Sequence, residues 1–471
     1  MKRIITLLLA MLMVFSLCAC SNSGSADETT GAATPEGLQV GFAKVNITPD
    51  FTVGLGGYSD AETRSTTGFV EYIYTTCIAV TSGEDTLLMY TIDTCAVAKA
   101  QMDKIREMVT AATGIPGEFI FAGGTHGHNC PSLSSYDNAA KYQTLFYNAA
   151  VEAAKKALED RAPAQLLRAK MEHENMNFIR HYILDDGTYT DSSGASAAGA
   201  SRLVGHPMPT DPQMVMLKFD REGDKKDVLM INWQAHPDSA SEIGYNLISP
   251  SWIGAMRDKV EKETGMLVAY FTGASGNQTK ESKIPSENRK NFTYREYGEE
   301  LAGCALLMID KLEPVEGTAI KTTHYIMDVD VDHSWDHMLE QANEVYDLWK
   351  SAGKTAGDAL GKQYGFSSSY QARAIRSRAK MAKTIAMQMG AFSIGGVGFT
   401  TGTYEMFSNS GIYVKENSPF ETTFLICGNS SYVPADIAYT YRGYEADTGY
   451  YARGVAEAMA EQYVKMLGDV K

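Results

Sequence analysis

Cysteine is scarce in this chain, 7 among 471 residues, and no Cys-x-x-Cys pair occurs. A thiolate zinc site is therefore not indicated. Basic runs are missing too. The formal net charge is −15, and no stretch of Lys and Arg is long enough to follow a phosphate backbone, which argues against nucleic acid as a partner. The Gly-rich stretch Val53 to Tyr58 (VGLGGY) lacks the GxGxxG spacing and the following helix of a nucleotide loop. Ser275, in Gly273-Ala274-Ser275-Gly276, has its glycines at the wrong offsets for a GxSxG elbow. There is no internal repeat and no clear linker in the interior.

What is present is ordinary globular composition, 44% hydrophobic and 21% charged. Residues 1–20 (MKRIITLLLAMLMVFSLCAC) join a Lys2-Arg3 start to an apolar run from Ile4 to Leu17, a secretory signal rather than a spanning helix. Their end, Leu17-Cys18-Ala19-Cys20, resembles a bacterial lipobox. That resemblance makes Cys20 the lipidated first residue of an exported protein held at the outer face of a cell membrane. Residues 21–37 carry no core-forming side chains and suit a flexible tether. The remaining cysteines, Cys77, Cys95, Cys130, Cys304 and Cys427, are read as buried free thiols, with a Cys77–Cys95 disulfide left open.

From residue 38 to 471 strand and helix patterns alternate with short joints, which predicts an α/β domain with a mixed, largely parallel sheet flanked by helices. Strands are expected at Leu38–Ile47, Phe69–Val80, Thr86–Ile92, Gln213–Phe219, Asp227–Trp233, Met266–Phe271, Ala391–Thr400 and Thr423–Cys427. Helices are expected at Lys99–Ala112, Tyr142–Leu158, Tyr294–Leu312, Asp336–Ala352, Ala372–Met389 and Gly454–Leu467. Arg373, Arg376, Arg378, Lys380 and Lys383 read as a solvated basic face, Ser192–Ala200 as a loop of small residues, and Asp93 as a helix cap in preference to the holder of a pocket residue.

The chemistry concentrates in Glu118 to Leu133. A short apolar strand, Phe119 to Ala122, runs into Gly-Gly-Thr-His-Gly-His, and histidines two apart in extended backbone share a face. His126 and His128 can therefore converge on one point, with Gly127 leaving room for another group. His236, in Gln234-Ala235-His236-Pro237, repeats the placement just past a buried strand. Paired imidazoles at strand ends suit a metal or acid–base site. The VGLGGY loop is read as lying close by.

In this order the loops resemble the neutral/alkaline (non-lysosomal) ceramidase family, specifically its amino-terminal catalytic domain. The matching stretches are Val45-Asn46-Ile47-Thr48-Pro49 with Gly57-Tyr58, the Thr125-His126-Gly127-His128-Asn129-Cys130-Pro131 variant of THTHSGP, and Asn232-x-x-x-His236-Pro237. Thr403-Tyr404-Glu405 stands where the family has PGE, Asn429 to Ala435 where it has GYxGYxPT, and Gly443-Tyr444-Glu445 follows. The resemblance implies a ceramidase-like zinc hydrolase domain over 38–471, without the family's carboxyl-terminal β-sandwich. It implies one zinc ion held by His126, His236, Glu405 and Tyr432. Such an ion would lower the pKa of a water to about 7. His128 would move the proton toward the leaving amine, and Arg180 and Tyr444 would face the substrate carbonyl. Thr279, in Gly276-Asn277-Gln278-Thr279-Lys280, stands where some members carry a serine proposed to act in catalysis. The activity expected is hydrolysis of a linear amide, with N-acyl sphingoid lipids as the leading substrate. Tyr439, Tyr441, Tyr444, Tyr450 and Tyr451 are candidates to line an acyl trough or to be packing. The alternatives are a zinc deacylase or esterase on another acylated substrate, such as a cell-wall amide or acylated sugar, and a degenerate lipid- or glycan-binding surface lipoprotein.

Overall fold

Successive residues of the central strands feed two different cores, which is why those strands read as unbroken apolar runs. The computed structural model describes residues 37–58, 64–133, 138–287 and 292–471; Cys20, the lipobox and nearly all of the tether lie outside them. The main sheet is built from β1 (Leu38–Asn46), β2 (Tyr74–Ser82), β3 (Asp85–Ile92), β4 (Ile120–Gly124), β5 (Ala162–Glu172), β6 (Gln213–Arg221), β7 (Val228–Trp233) and β8 (Leu267–Thr272). Their order is β8-β7-β6-β5-β1-β2-β3-β4, with the short Glu313–Pro314 strand added to β5. A second sheet, β9 (Ile320–Asp330), β10 (Thr384–Ile394), β11 (Val397–Gly402) and β12 (Thr422–Cys427), is ordered as numbered.

Leu38, Val40 and Phe42 of β1, with Leu87 and Met89 of β3 and Val228 and Met230 of β7, meet Phe392, Phe399 and Phe424 of the second sheet. The alternate residues, Cys77, Ala79, Leu88 and Tyr90, turn to helices α1 (Lys99–Thr113) and α2 (Ala139–Glu159). Farther along that face, Leu229, Ile231 and Trp233 pack on α3 (Trp252–Thr264) and α4 (Tyr294–Ile309). The outer face of the second sheet is covered by α5 (Val455–Asp469). Helix, sheet, sheet, helix is the result. No helix of the described residues is long and apolar enough to cross a membrane.

The mixed α/β architecture agrees with the sequence reading, but the balance of strand directions does not. In the main sheet only β3–β4 and β7–β8 run parallel; every other neighbouring pair of its eight long strands is antiparallel. The cause is connection length. β2 and β3 are joined through Gly83 and Glu84 alone, too short for a crossover. The reading also passes over β5 and α3.

Four local expectations are corrected. The helix expected over Ala372–Met389 is a helix at Ser369–Arg378 followed by β10, because Met387, Met389 and Ala391 fill the outer core with period two. Arg378 is not on a solvated face; it is 1% exposed and donates to the Gly449 carbonyl at 2.9 Å. Ser192–Ala198 is helical, capped by Asp191 Oδ1 accepting from the Ser193 and Gly194 amides. Asp93 caps nothing: it is buried and takes a two-pronged contact from Arg257, at 3.0 and 2.8 Å. The five cysteines beyond Cys20 are free thiols.

Candidate metal centre

The strands that run parallel are the ones that build the site. β4 leads into His126 and His128, β7 into His236, β8 into residues 273–279, β11 into Glu405 and β12 into Tyr432. In three parallel pairs, β3–β4, β7–β8 and β11–β12, the carboxyl ends emerge together, the usual place for a ligand crevice in α/β folds. Buried Asn232 joins the two sheets beneath it: its amide donates to the Phe271 and Leu425 carbonyls and accepts from the Leu425 amide. Asn429, at φ 60°, donates to the Gly124 carbonyl and so ties the Tyr432 loop to β4. Glu405 and Tyr432 are then opposite one another in a short parallel bridge.

His126 Nδ1 lies 2.7 Å from the Cys95 carbonyl and His236 Nδ1 2.8 Å from that of Ser275. Each carbonyl can only accept, so Nδ1 carries the proton and the Nε2 lone pair is left pointing inward. The two Nε2 atoms are 3.0 Å apart, and Glu405 Oε2 is 3.4 and 3.5 Å from them. Donors about 2.0–2.1 Å from a tetrahedral zinc ion would be about 3.3–3.4 Å apart. Glu405 Oε2 is buried, and no hydrogen bond reaches it among the described residues. Two lone pairs facing a carboxylate oxygen repel unless a cation or proton sits between them. The residues fit a zinc ion.

Burial holds the His126 ring down at about 4, against its Cys95 bond, and holds His128 and His236 well below the usual imidazole range. Burial also raises the Glu405 carboxyl well above its ordinary value, with Arg180 opposing. Two results are expected of metal-stripped protein. Zinc uptake should release protons, seen as a buffer-dependent binding enthalpy. Between pH 6.5 and about 4 the unfolded histidines bind protons that the folded ones refuse, so stability should fall as pH drops through that window, checked by urea midpoints.

The histidines converge differently from the expected extended-strand geometry. His126 sits at φ 65°, in the left-handed region, and this kink brings His128 Nε2 to 3.2 Å from His126 Nε2. The space over Gly127 is taken by Cys130, whose sulfur would lie 2.5 Å from an added Cβ. The VGLGGY loop does lie at the site. Gly57 has φ 90°, a Cβ there would fall 2.6 Å from His128, and the Tyr58 ring meets the His128 ring edge-on at 5.1 Å. Gly57→Ala should displace His128 and destabilise the fold by about 1–3 kcal/mol, read as a lower urea midpoint with zinc content retained.

Arg180 donates to Glu445 Oε1 at 2.6 Å and to the Gly276 carbonyl at 2.8 Å, and its guanidinium stands 5.5 Å from the Tyr432 ring. Glu445, which the sequence reading passed over beside Tyr444, is the anchor here. Burial pushes its carboxyl up, but His181, 2.9 Å away, and Arg180 more than offset this and hold it at about 2. The Tyr432 ring stacks 6.4 Å from that of His236, and Tyr444 lies 6.0 Å from Tyr432. Thr279 is the backbone neighbour of His236, and the His236 amide donates to the Gln278 carbonyl. A cavity of about 230 Å³ adjoins these groups, lined by Arg180, Asp191, Ser192, Asp238, Tyr444 and Glu445 among others. Of the five carboxyl-terminal tyrosines only Tyr444 lines it. Tyr439 and Tyr441 pack, their hydroxyls on the Tyr451 carbonyl and His181, and Tyr451 is buried in the outer core.

The sequence matches no protein-family profile and no curated protein. Solved structures do match. A ceramidase complexed with C2 superposes with a TM-score of 0.66 at 17% identity, covering 92% of this chain and 75% of that one. The neutral ceramidase from Pseudomonas aeruginosa gives 0.66 at 17% identity, over 92% and 74%. In fold, this chain is a neutral ceramidase-like domain.

Proposed function

We propose that this protein is a zinc-dependent hydrolase of linear amides, with N-acyl sphingoid lipids as its leading substrate class. The observation that carries the proposal is the convergence of two tautomer-locked imidazoles on the unpartnered carboxylate oxygen of Glu405. His126, His236 and Glu405 would hold the ion, with Tyr432, in register with Glu405, as the fourth ligand. Bound zinc would supply Lewis acidity, polarising the amide carbonyl and acidifying a water. His128, kept neutral by burial, can accept a proton at Nε2 and pass it to the leaving nitrogen. Arg180, fixed by Glu445, and the Tyr444 hydroxyl, kept protonated by a pKa pushed up to about 12, would donate to a developing oxyanion. Thr279 serves by setting the backbone of His236. The leader and lipobox support export, with anchorage through Cys20 at the outer face of the membrane.

A second reading is favoured by one feature. The cavity beside the centre is lined by polar and charged groups, which suits a deacylase or esterase on a polar acylated substrate such as a cell-wall amide or acylated sugar. Metal content and turnover decide. Purified soluble protein beginning near Gly37 should hold close to one zinc per chain and hydrolyse labelled N-acyl amides, with turnover lost in Glu405→Gln. Faster cleavage of short polar amides than of labelled ceramide would select the second reading. No bound metal after zinc add-back would overturn both and leave a lipid- or glycan-binding lipoprotein.

A further inference from the structure

His126 belongs to two ligand sets. Besides His236 and Glu405, it falls in a group with Cys95 and His128 in which one donor atom from each residue lies within 4.8 Å of the others. The proposed reaction leaves the Cys95 thiol unused. Its residue is fixed to His126 through the 2.7 Å bond at its carbonyl, and the Nε2 atoms of His126 and His128 are 3.2 Å apart, close to a tetrahedral edge. His128 is free to present its Nε2 lone pair there. His128 is 8% exposed, and its Nδ1 is buried without a hydrogen-bond partner among the described residues, so nothing locks its tautomer. Its ring is held in place by Gly57 and Tyr58.

The two sets differ in softness. His126, His236 and Glu405 offer two nitrogens and an oxygen; Cys95, His126 and His128 offer two nitrogens and a sulfur, which favours thiophilic ions. We propose that Cys95, His126 and His128 form a second, inhibitory cation position for soft divalent ions, exclusive of the first because both need the single inward lone pair of His126. Ligation replaces the Cys95 thiol proton, which leaves to solvent, and no electron is transferred. It also occupies His128. Only the inhibitory consequence rests on the hydrolase reading; the binding position does not.

The probe is cadmium alone, added to metal-stripped full-length protein and followed by the ultraviolet thiolate-to-cadmium charge-transfer band. The band should appear in the parent and in Glu405→Gln, vanish in Cys95→Ser, and weaken at least tenfold in apparent affinity in His128→Ala. Cys95→Ser should still take up zinc, which shows that it is folded. Where amide turnover is measurable, Cys95→Ser should raise the cadmium concentration for half-inhibition at least tenfold. An unchanged band in Cys95→Ser, or no band in the parent, would overturn the proposal. The expected band without hydrolysis of any amide would uphold the second position while the hydrolase reading fell.

Discussion

Alanine at position 236 should leave a folded protein that no longer retains zinc through dialysis and has no measurable turnover. The imidazole supplies one of the three donors that meet at 3.0–3.5 Å. A structural zinc site contributes about 10–16 kcal/mol over four ligands, so losing one should weaken binding about 10²–10³-fold. The fold should survive because His236 is also held through its backbone: its amide donates to the Gln278 carbonyl, and its carbonyl accepts from the Trp252 indole at 3.4 Å. Elemental analysis beside a urea titration separates the effects. Full zinc retention in His236→Ala would remove the residue from the ligand set.

Arg257→Ala should produce a large loss of stability. Asp93 and Arg257 are 0% and 2% exposed, and the carboxylate also accepts from the Tyr74 amide at 2.9 Å. Removing the guanidinium strands a buried charge, at a cost of about 3–5 kcal/mol. Pairing Arg257→Leu with Asp93→Ala should recover a good part of that loss, since the penalty belongs to the uncompensated charge. The effect should also reach the centre. Asp93 directly follows β3, two residues before Cys95, whose carbonyl fixes the His126 tautomer. Weaker zinc binding in Arg257→Ala than in the double variant would confirm that route; equal binding would confine the pair to stability.

The strands that carry the donors were legible because both of their faces are buried: 120–124, 228–233 and 422–427 are short apolar runs that end in polar loops. What such runs cannot reveal is which neighbour they pair with, so strand direction was misjudged. The segment after Arg378 was misread because Ala, Met and Gln tolerate helix and strand alike, and only the outer core decided. At the site, short motifs in order pointed to His126, His236 and Glu405, although 17% identity left too little similarity for a whole-sequence match. Cys95 was legible only as a thiol and Glu445 only as part of a motif, since their importance lies in what touches them: a histidine farther along the chain for one, Arg180 and His181 for the other.

The donors to the centre come from opposite sides of a seam, His126 and His236 from strands of the main sheet and Glu405 from the second. Glu405 cannot meet the two imidazoles until both sheets have formed and docked. Capture of an ion by all three donors is therefore expected late in folding, after the transition state. Zinc should slow unfolding while leaving the refolding rate nearly untouched, so its protection is a matter of lifetime.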